Sequence, residues 1–260
     1  MSILYTKNLR KEFGGVIAVS DLDFNIEKNQ ISGLIGPNGA GKTTLFNIIS
    51  GFEEPTEGFV FCNGQDITKF KPYQITRLGV ARTFQNIRLF KEMSVLDNVK
   101  IGRHFKSTHL NYSKNGFINY LFIVSNIKKE EKDIQEKSRY WLDFFNLSGF
   151  TNYKAKDLPY GKQKELEIAR AMATEPSILF LDEPAAGLNQ TETEHLMSTI
   201  KKLQKSNVTI VIIEHDMRLI MNICDSITVL NYGQKIAYGT PAEIQKNIQV
   251  IEAYLGKENE

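Results

Sequence analysis

Several groups of residues in this sequence have types and spacings that can do chemistry. The first is Gly36-Pro37-Asn38-Gly39-Ala40-Gly41-Lys42-Thr43, followed by Thr44. It has the G-x-x-x-x-G-K-[ST] spacing of a loop that binds a nucleoside triphosphate. Glycines let the backbone wrap tightly enough to aim several N–H groups at a phosphate, and a helix beginning behind the loop adds the positive end of its dipole. Lys42 then reaches the β- and γ-phosphates as a point charge, and the Thr43 hydroxyl is placed to ligate Mg²⁺.

The second and third groups are acids and a histidine that end apolar runs. Ile178-Leu179-Phe180-Leu181 runs into Asp182-Glu183, and the run 209–213 ends in Glu214-His215. A continuous apolar strand that ends in an acid is a buried parallel strand delivering a carboxylate to one edge of its sheet. Asp182 is placed to hold Mg²⁺ through water, and Glu183 to orient or deprotonate an attacking water. His215 can donate to the γ-phosphate or brace that base; alone it would read as a surface histidine. Gln85, after the apolar stretch 78–81, reads in isolation as a solvated loop residue. Phe13 is a candidate platform for stacking a base, with core packing as the alternative. There is no N-K-x-D tetrapeptide to read guanine and no D-x-x-G switch after a strand. The set suits ATP held mainly through its phosphates.

These groups need elements to position them. Residues 3–26 alternate apolar and polar positions around a Gly14-Gly15 turn, so an antiparallel sheet precedes the loop, which itself follows the apolar run 31–35 and opens a helix over 44–49. A further strand over 59–62 turns at Asn63-Gly64. The stretch 107–126 is irregular, with interleaved aromatics; 128–146 then reads as an amphipathic helix with Ile134, Trp141 and Phe145 on one stripe. A second helix covers 161–173, with Leu166, Ala169 and Ala173 at helical spacing. The chain closes with a hairpin around Gly233 and a helical tail over 244–255.

Composition sets the bounds. The chain has 260 residues, 42% hydrophobic and 24% charged, which is enough apolar material for a sizeable core. Lys and Arg total 32 against 30 Asp and Glu, so no basic stripe points to nucleic acid as the main partner. Cys62 and Cys224 lack metal-ligand spacing and fit small buried hydrophobes in a reducing compartment. No secretory signal opens the chain, and the longest mostly apolar stretch, 117–124, is far short of a spanning helix. Any relation to a membrane must therefore run through a partner.

With these residues in view, the sequence resembles the nucleotide-binding subunit of ATP-binding cassette (ABC) transporters from about Leu4 to Gly256. Phe13 resembles the A-loop aromatic, residues 36–43 the Walker A loop, Gln85 the Q-loop glutamine, 178–182 Walker B, Glu183 the catalytic glutamate, 185–189 the D-loop and His215 the switch histidine. Leu158-Pro159-Tyr160-Gly161-Lys162-Gln163 sits where the signature L-S-G-G-Q belongs, with Pro159 replacing the serine whose hydroxyl contacts the γ-phosphate. Asn189 stands where many cassettes carry Asp. L-P-Y-G, Arg82-Thr83-Phe84-Gln85, E-P-A-A-G-L-N and the closing 250–256 resemble, more narrowly, the first ATP-binding subunit of branched-chain amino-acid importers.

The resemblance implies an α/β, RecA-like P-loop NTPase core with an antiparallel β subdomain (1–85 and 166–240), a helical lobe over 86–165 and a helical tail over 241–260. It implies ATP and Mg²⁺ as cofactors, with nucleotide contacts from Phe13, Val19, Gly36, Pro37, Asn38, Gly39, Ala40, Gly41, Lys42, Thr43, Thr44, Gly161 and Gln163. Metal contacts are expected from Thr43, Gln85 and Asp182, and catalysis from Glu183, His215 and Gln85. Expected partners are a second cassette, permease subunits and, indirectly, an extracytoplasmic substrate-binding protein, at the cytoplasmic face of a membrane. The rival readings are a cassette for another cargo, such as urea, an amide or a lipid-type substrate, and a soluble ABC ATPase with no transport role.

Overall fold

The computed structural model describes residues 2–104 and 117–255. Within the irregular stretch 107–126, residues 107–116 lie outside the described residues, as does Gly256 of the closing motif. In chain order the first elements are β1 (Ser2–Phe13), β2 (Val16–Leu22), β3 (Asn25–Glu27), β4 (Ile31–Ile35), α1 (Lys42–Ile49), β5 (Glu57–Cys62), β6 (Gln65–Asp66), α2 (Pro72–Arg77) and β7 (Val80–Arg82). Then come α3 (Val95–His104), α4 (Phe117–Phe144) and α5 (Tyr160–Met172). The chain finishes with β8 (Ile178–Asp182), α6 (Gln190–Gln204), β9 (Thr209–Ile213), α7 (Met217–Ile223), β10 (Ser226–Asn231), β11 (Gln234–Gly239), α8 (Pro241–Gln245) and α9 (Ile248–Leu255).

These elements form two compact units, 1–85 with 177–260, and 86–176. The second boundary therefore follows Pro176, and α5 belongs with the helical unit, whereas the sequence reading ended that unit at 165. The reason is packing: α5 lies against α3 and α4, and Gly102 of α3 lies so close that a Cβ there would meet the Arg170 carbonyl oxygen at 2.2 Å.

The first unit is built on two sheets. Strands β2-β1-β5-β6 run antiparallel in that order, with β3 also paired to β1. Gly14 and Gly15, at φ 51° and 90°, make the turn between β1 and β2 that only glycine makes without strain. Cross-strand partners Tyr5 and Phe61 stack with ring centroids 4.9 Å apart, the kind of pair that holds antiparallel register. The second sheet has the order β11-β10-β4-β9-β8-β7. All its neighbours pair in parallel except β10 and β11. Every residue of β4, β8 and β9 is buried, as expected of strands covered on both faces. Phe46 of α1 meets Phe180 of β8 edge-on at 4.8 Å, anchoring the helix that follows the P-loop onto this sheet.

In the helical unit, Trp141, Leu142 and Phe145 are buried at the end of α4 and just beyond it. Asn98 of α3, fully buried, bonds both the N–H and the carbonyl of Phe90 and so fixes the segment leading into that helix. Helix α4 starts at Phe117 rather than near 128. The aromatic and β-branched run there shows no single apolar stripe, so periodicity alone does not mark it as helix. The C-terminal tail is likewise two helices. Thr240 and Glu243 form a capping box at α8, and the Asn247 side chain accepts the Gln249 and Val250 N–H groups to start α9.

No helix among the described residues is long and apolar enough to cross a membrane. Both cysteines are buried, and burial pushes Cys62 up to about 11 and Cys224 to about 12. At pH 8 only ~1 in 1,000 Cys62 thiols is then the reactive thiolate. Both thiols should be silent toward a disulfide reagent at pH 8 in the native protein and react together on denaturation. Rapid labelling of either one in the native state would contradict this packing.

Candidate functional site

The site gathers where the parallel sheet delivers its strand ends. Strand β4 pairs with β9, and β9 with β8. The loop 36–43, Glu214-His215 and Asp182-Glu183 thus leave three adjacent strands at one edge, as parallel α/β sheets arrange their ligand crevices.

The P-loop needs glycine at two points of close approach. A Cβ on Gly36, at φ 152°, would meet the Leu230 carbonyl oxygen at 2.1 Å. A Cβ on Gly41, at φ 96°, would meet that of Ala18 at 2.3 Å. Behind the loop Lys42 opens α1 and is buried. Its Nζ donates to the Gly36 and Pro37 carbonyls at 2.7 and 2.9 Å. Burial holds its ammonium below the usual lysine range, opposed by the charges of Glu183 and Asp182. Those acids therefore face the same point that Lys42 does. A cavity of about 630 Å³ flanks the loop between Pro37–Ala40, Tyr232, Lys235 and the Glu252 side of α9; Asp182, Glu183 and His215 do not line it. Burial pushes the Tyr254 phenol of α9 up, partly offset by the Gly36 N–H, so the tail reaches the P-loop, which the sequence did not reveal.

Glu183 is held from two sides. Gln85 Nε2 donates to its Oε2 at 2.7 Å, and His215 Nε2 lies 3.1 Å from its Oε1. Its backbone is left-handed, at φ 47°, and its N–H bonds the Ile213 carbonyl at 2.9 Å. A carboxylate, a histidine and a glutamine from separate segments thus share one hydrogen-bonded cluster. Glu214 organises its frame, a role sequence reading missed because a residue beside a histidine after a strand carries no signal. Its buried carboxylate accepts the N–H groups of Ala185 at 2.7 Å, His215 at 3.1 Å and Asp216 at 3.5 Å. Burial nonetheless pushes Glu214 above the usual carboxylate range.

Asp182 is 5% exposed and paired with Arg82, whose Nη2 donates to its Oδ2 at 2.8 Å. The oxygen donors at hand are the Asp182 carboxylate, the Thr43 hydroxyl and the Gln85 amide. That hard set suits Mg²⁺ sharing its shell with phosphate oxygens and water. Among the described residues no cluster of three or more His, Cys, Asp and Glu could hold a metal by itself.

Other expected contacts fall differently. Phe13 is 45% exposed, and the Lys11 Nζ sits 4.7 Å from its ring centroid. Val19 is fully buried in the core. The burial pattern of β2 turns Val19 inward, so its side chain offers no open surface in this structure; Val16, Ile17 and Asp21 are the exposed residues of that strand. In the helical unit, Pro159 is the N-cap of α5 with no side-chain capping bond. Gln163 uses its amide on the Leu158 carbonyl at 2.8 Å, and Lys162 is paired with Glu165. Asn189, read as a departure from Asp, is the N-cap of α6 in a capping box with Glu192, a job asparagine does as well as aspartate.

The family pattern described as "ABC transporter" matches residues 19–186, and that described as "Branched-chain amino acid ATP-binding cassette transporter" matches 234–260. The chain is 46% identical over 256 residues to the high-affinity branched-chain amino acid transport ATP-binding protein BraF of Pseudomonas aeruginosa, covering 98% of each chain. It is 42% identical to the corresponding LivG protein of Escherichia coli over the same share. Its fold superposes on the ADP conformation of MJ1267, an ATP-binding cassette of an ABC transporter, with TM-score 0.84 and 34% identity, covering 99% of this chain and 100% of that one. With the P-loop, the two acids and the histidine at one sheet edge, these matches give one conclusion: the chain belongs to the ABC transporter family, as an ATP-binding cassette.

Proposed function

We propose that this chain hydrolyses ATP to power a membrane importer for branched-chain amino acids. One observation carries the hydrolytic part: the Glu183 carboxylate is held between Gln85 and His215 beside Asp182, on a strand next to β9, which adjoins the P-loop strand. A water against that carboxylate loses its proton to Glu183 as its oxygen attacks the γ-phosphorus and the bond to the β-phosphate oxygen breaks, giving ADP and phosphate. Lys42 exchanges its bonds to the Gly36 and Pro37 carbonyls for β- and γ-phosphate oxygens. His215 holds one Glu183 oxygen and Gln85 the other, so the base has one orientation. Thr43, Asp182 and Gln85 would hold Mg²⁺, which supplies charge neutralisation on the phosphate oxygens. Phe13 stacks the base.

The remaining parts of the reading concern assembly. Two cassettes sandwich two ATP molecules, each between the P-loop of one subunit and the 158–163 turn of the other. There Gly161 offers backbone donors in place of the missing serine hydroxyl, and Gln163 braces the turn from within. The γ-phosphate is the differential contact that favours closure and is lost on hydrolysis. The cassette works at the cytoplasmic face of a membrane, bound to permease subunits fed by an extracytoplasmic binding protein. The names of BraF and LivG support the cargo.

Three outcomes are expected. Glu183→Gln keeps ATP affinity but lowers phosphate release at least ~100-fold; an unchanged rate removes Glu183 as the base. Lys42→Ala weakens ATP binding ~10-fold or more by equilibrium titration, since it deletes charged hydrogen bonds to phosphate. The chain co-expressed with its neighbouring permease genes co-purifies with them, and leucine-loaded binding protein stimulates their ATPase. Stimulation by urea or an amide instead would reassign the cargo, and failure to bind any membrane protein would sink the transport reading.

A further inference from the structure

Arg82 lies outside every role assigned above, yet it is built into the site with unusual care. It ends β7, three residues before Gln85. Its side chain and that of Asp182 are each 6% exposed, and their contact is 2.8 Å. The other arm of the guanidinium, Nη1, donates to Asn47 Oδ1 of α1 at 2.8 Å and reaches Ser50 Oγ at 3.5 Å. Three rings surround the cation. Its central carbon lies 5.1 Å from the Phe84 centroid, 5.6 Å from Phe46 and 5.8 Å from Phe52. Phe52 and Phe84 themselves meet edge-on at 5.6 Å.

A buried ion pair is poor value for stability alone, because desolvation cancels most of the attraction. What the arrangement does supply is direction. The planar fork is fixed by an amide on one side and by aromatic faces around it, so it can hold Asp182 in only one orientation. Asp182 Oδ2 is taken by Arg82, and Oδ1 accepts no hydrogen bond among the described residues. The cage also joins three parts of the site: α1 behind the P-loop through Phe46 and Asn47, the Gln85 segment through Phe84, and β8 through Asp182. Thr83 adds a second link, since its N–H bonds the Phe180 carbonyl at 2.9 Å and its hydroxyl accepts the Asp182 N–H at 3.4 Å.

We propose that Arg82 is the positioning residue of the Mg²⁺ site: clamped by Asn47 and the Phe46/Phe52/Phe84 cage, it occupies one Asp182 oxygen, presents the other to the metal's shell, and ties that oxygen's position to the Gln85 segment. This rests on the reading of Asp182 as the metal-holding acid. Arg82 would act on the metal through Asp182 and not by a contact of its own, so its loss should be felt in metal use before nucleotide use.

The test compares wild type, Arg82→Met, Asn47→Leu and Asp182→Asn in the full chain. Three quantities are read: binding of a fluorescent ATP analogue in EDTA, Mn²⁺ uptake into the ATP-bound protein by electron paramagnetic resonance, and thermal midpoint. Expected for Arg82→Met is metal-free nucleotide affinity within about twofold of wild type, with the Mn²⁺ dissociation constant raised about tenfold, the order of one lost charged contact. Asn47→Leu, which loosens the fork while leaving both charges, should raise it by a smaller factor and serves if Arg82→Met does not fold. If Asp182→Asn weakens Mn²⁺ uptake and neither cage variant does, the positioning role is overturned while the metal reading stands. If Asp182→Asn also leaves uptake unchanged, the metal reading itself has failed. Nucleotide and metal affinities that fall together with the thermal midpoint would show a merely structural pair and overturn the proposal.

Discussion

Three adjacent strands with no water on either face set the terms for everything at the site. An entirely buried strand can deliver a side chain to its end with little freedom, but it also brings any charge there into a region that solvates charge poorly. Each carboxylate at that edge is compensated by a different device. Asp182 has a guanidinium, Glu183 a histidine and an amide, and Glu214 three backbone N–H groups. The compensation for Glu214 is incomplete. Its folded pKa stands above the unfolded one, so the folded protein binds more protons, and stability present below the ordinary glutamate range is lost as pH rises through the raised value. The ionised form of Glu214 is thus a cost to folding, set against the order its carboxylate gives the Ala185 and His215 backbones.

The same edge explains how chemistry and movement can share residues. Gln85 closes the first segment of the β-rich unit, and the chain passes from it into the helical unit. Its amide nitrogen is on the Glu183 carboxylate. A shift of the segment beyond Gln85 must therefore either carry that hydrogen bond with it or break it. Orientation of the Glu183 carboxylate and the position at which the chain leaves this unit are thus linked through the Gln85 amide.

Much of this was legible in the sequence because it is written in periodicity and spacing. The P-loop, the fully apolar β8 and β9, the Gly14-Gly15 turn and the order of the acids and histidine each follow from local rules. What was not legible depends on tertiary neighbours. Val19 looks like any strand residue until register turns it into the core. Gln163 matches a motif by type, yet its amide is already used within its own turn. Arg82 and Glu214 read as ordinary charged residues, because only the packed structure shows a guanidinium among three rings or a carboxylate facing three N–H groups. The start of α4 is not legible, since an aromatic-rich run gives no single stripe, and neither is the unit that α5 joins, because helix type says nothing about which neighbours a helix chooses.

The left-handed backbone at Glu183 has a consequence for how this protein can change over time. An L-residue with a Cβ there costs about 1–2 kcal/mol, and glycine would relieve it. A replacement by glycine would thus relax the local backbone while removing the carboxylate. Folding stability alone would favour glycine here, so on the proposed reading the chain gives up some stability at this position to keep the carboxylate that turnover needs.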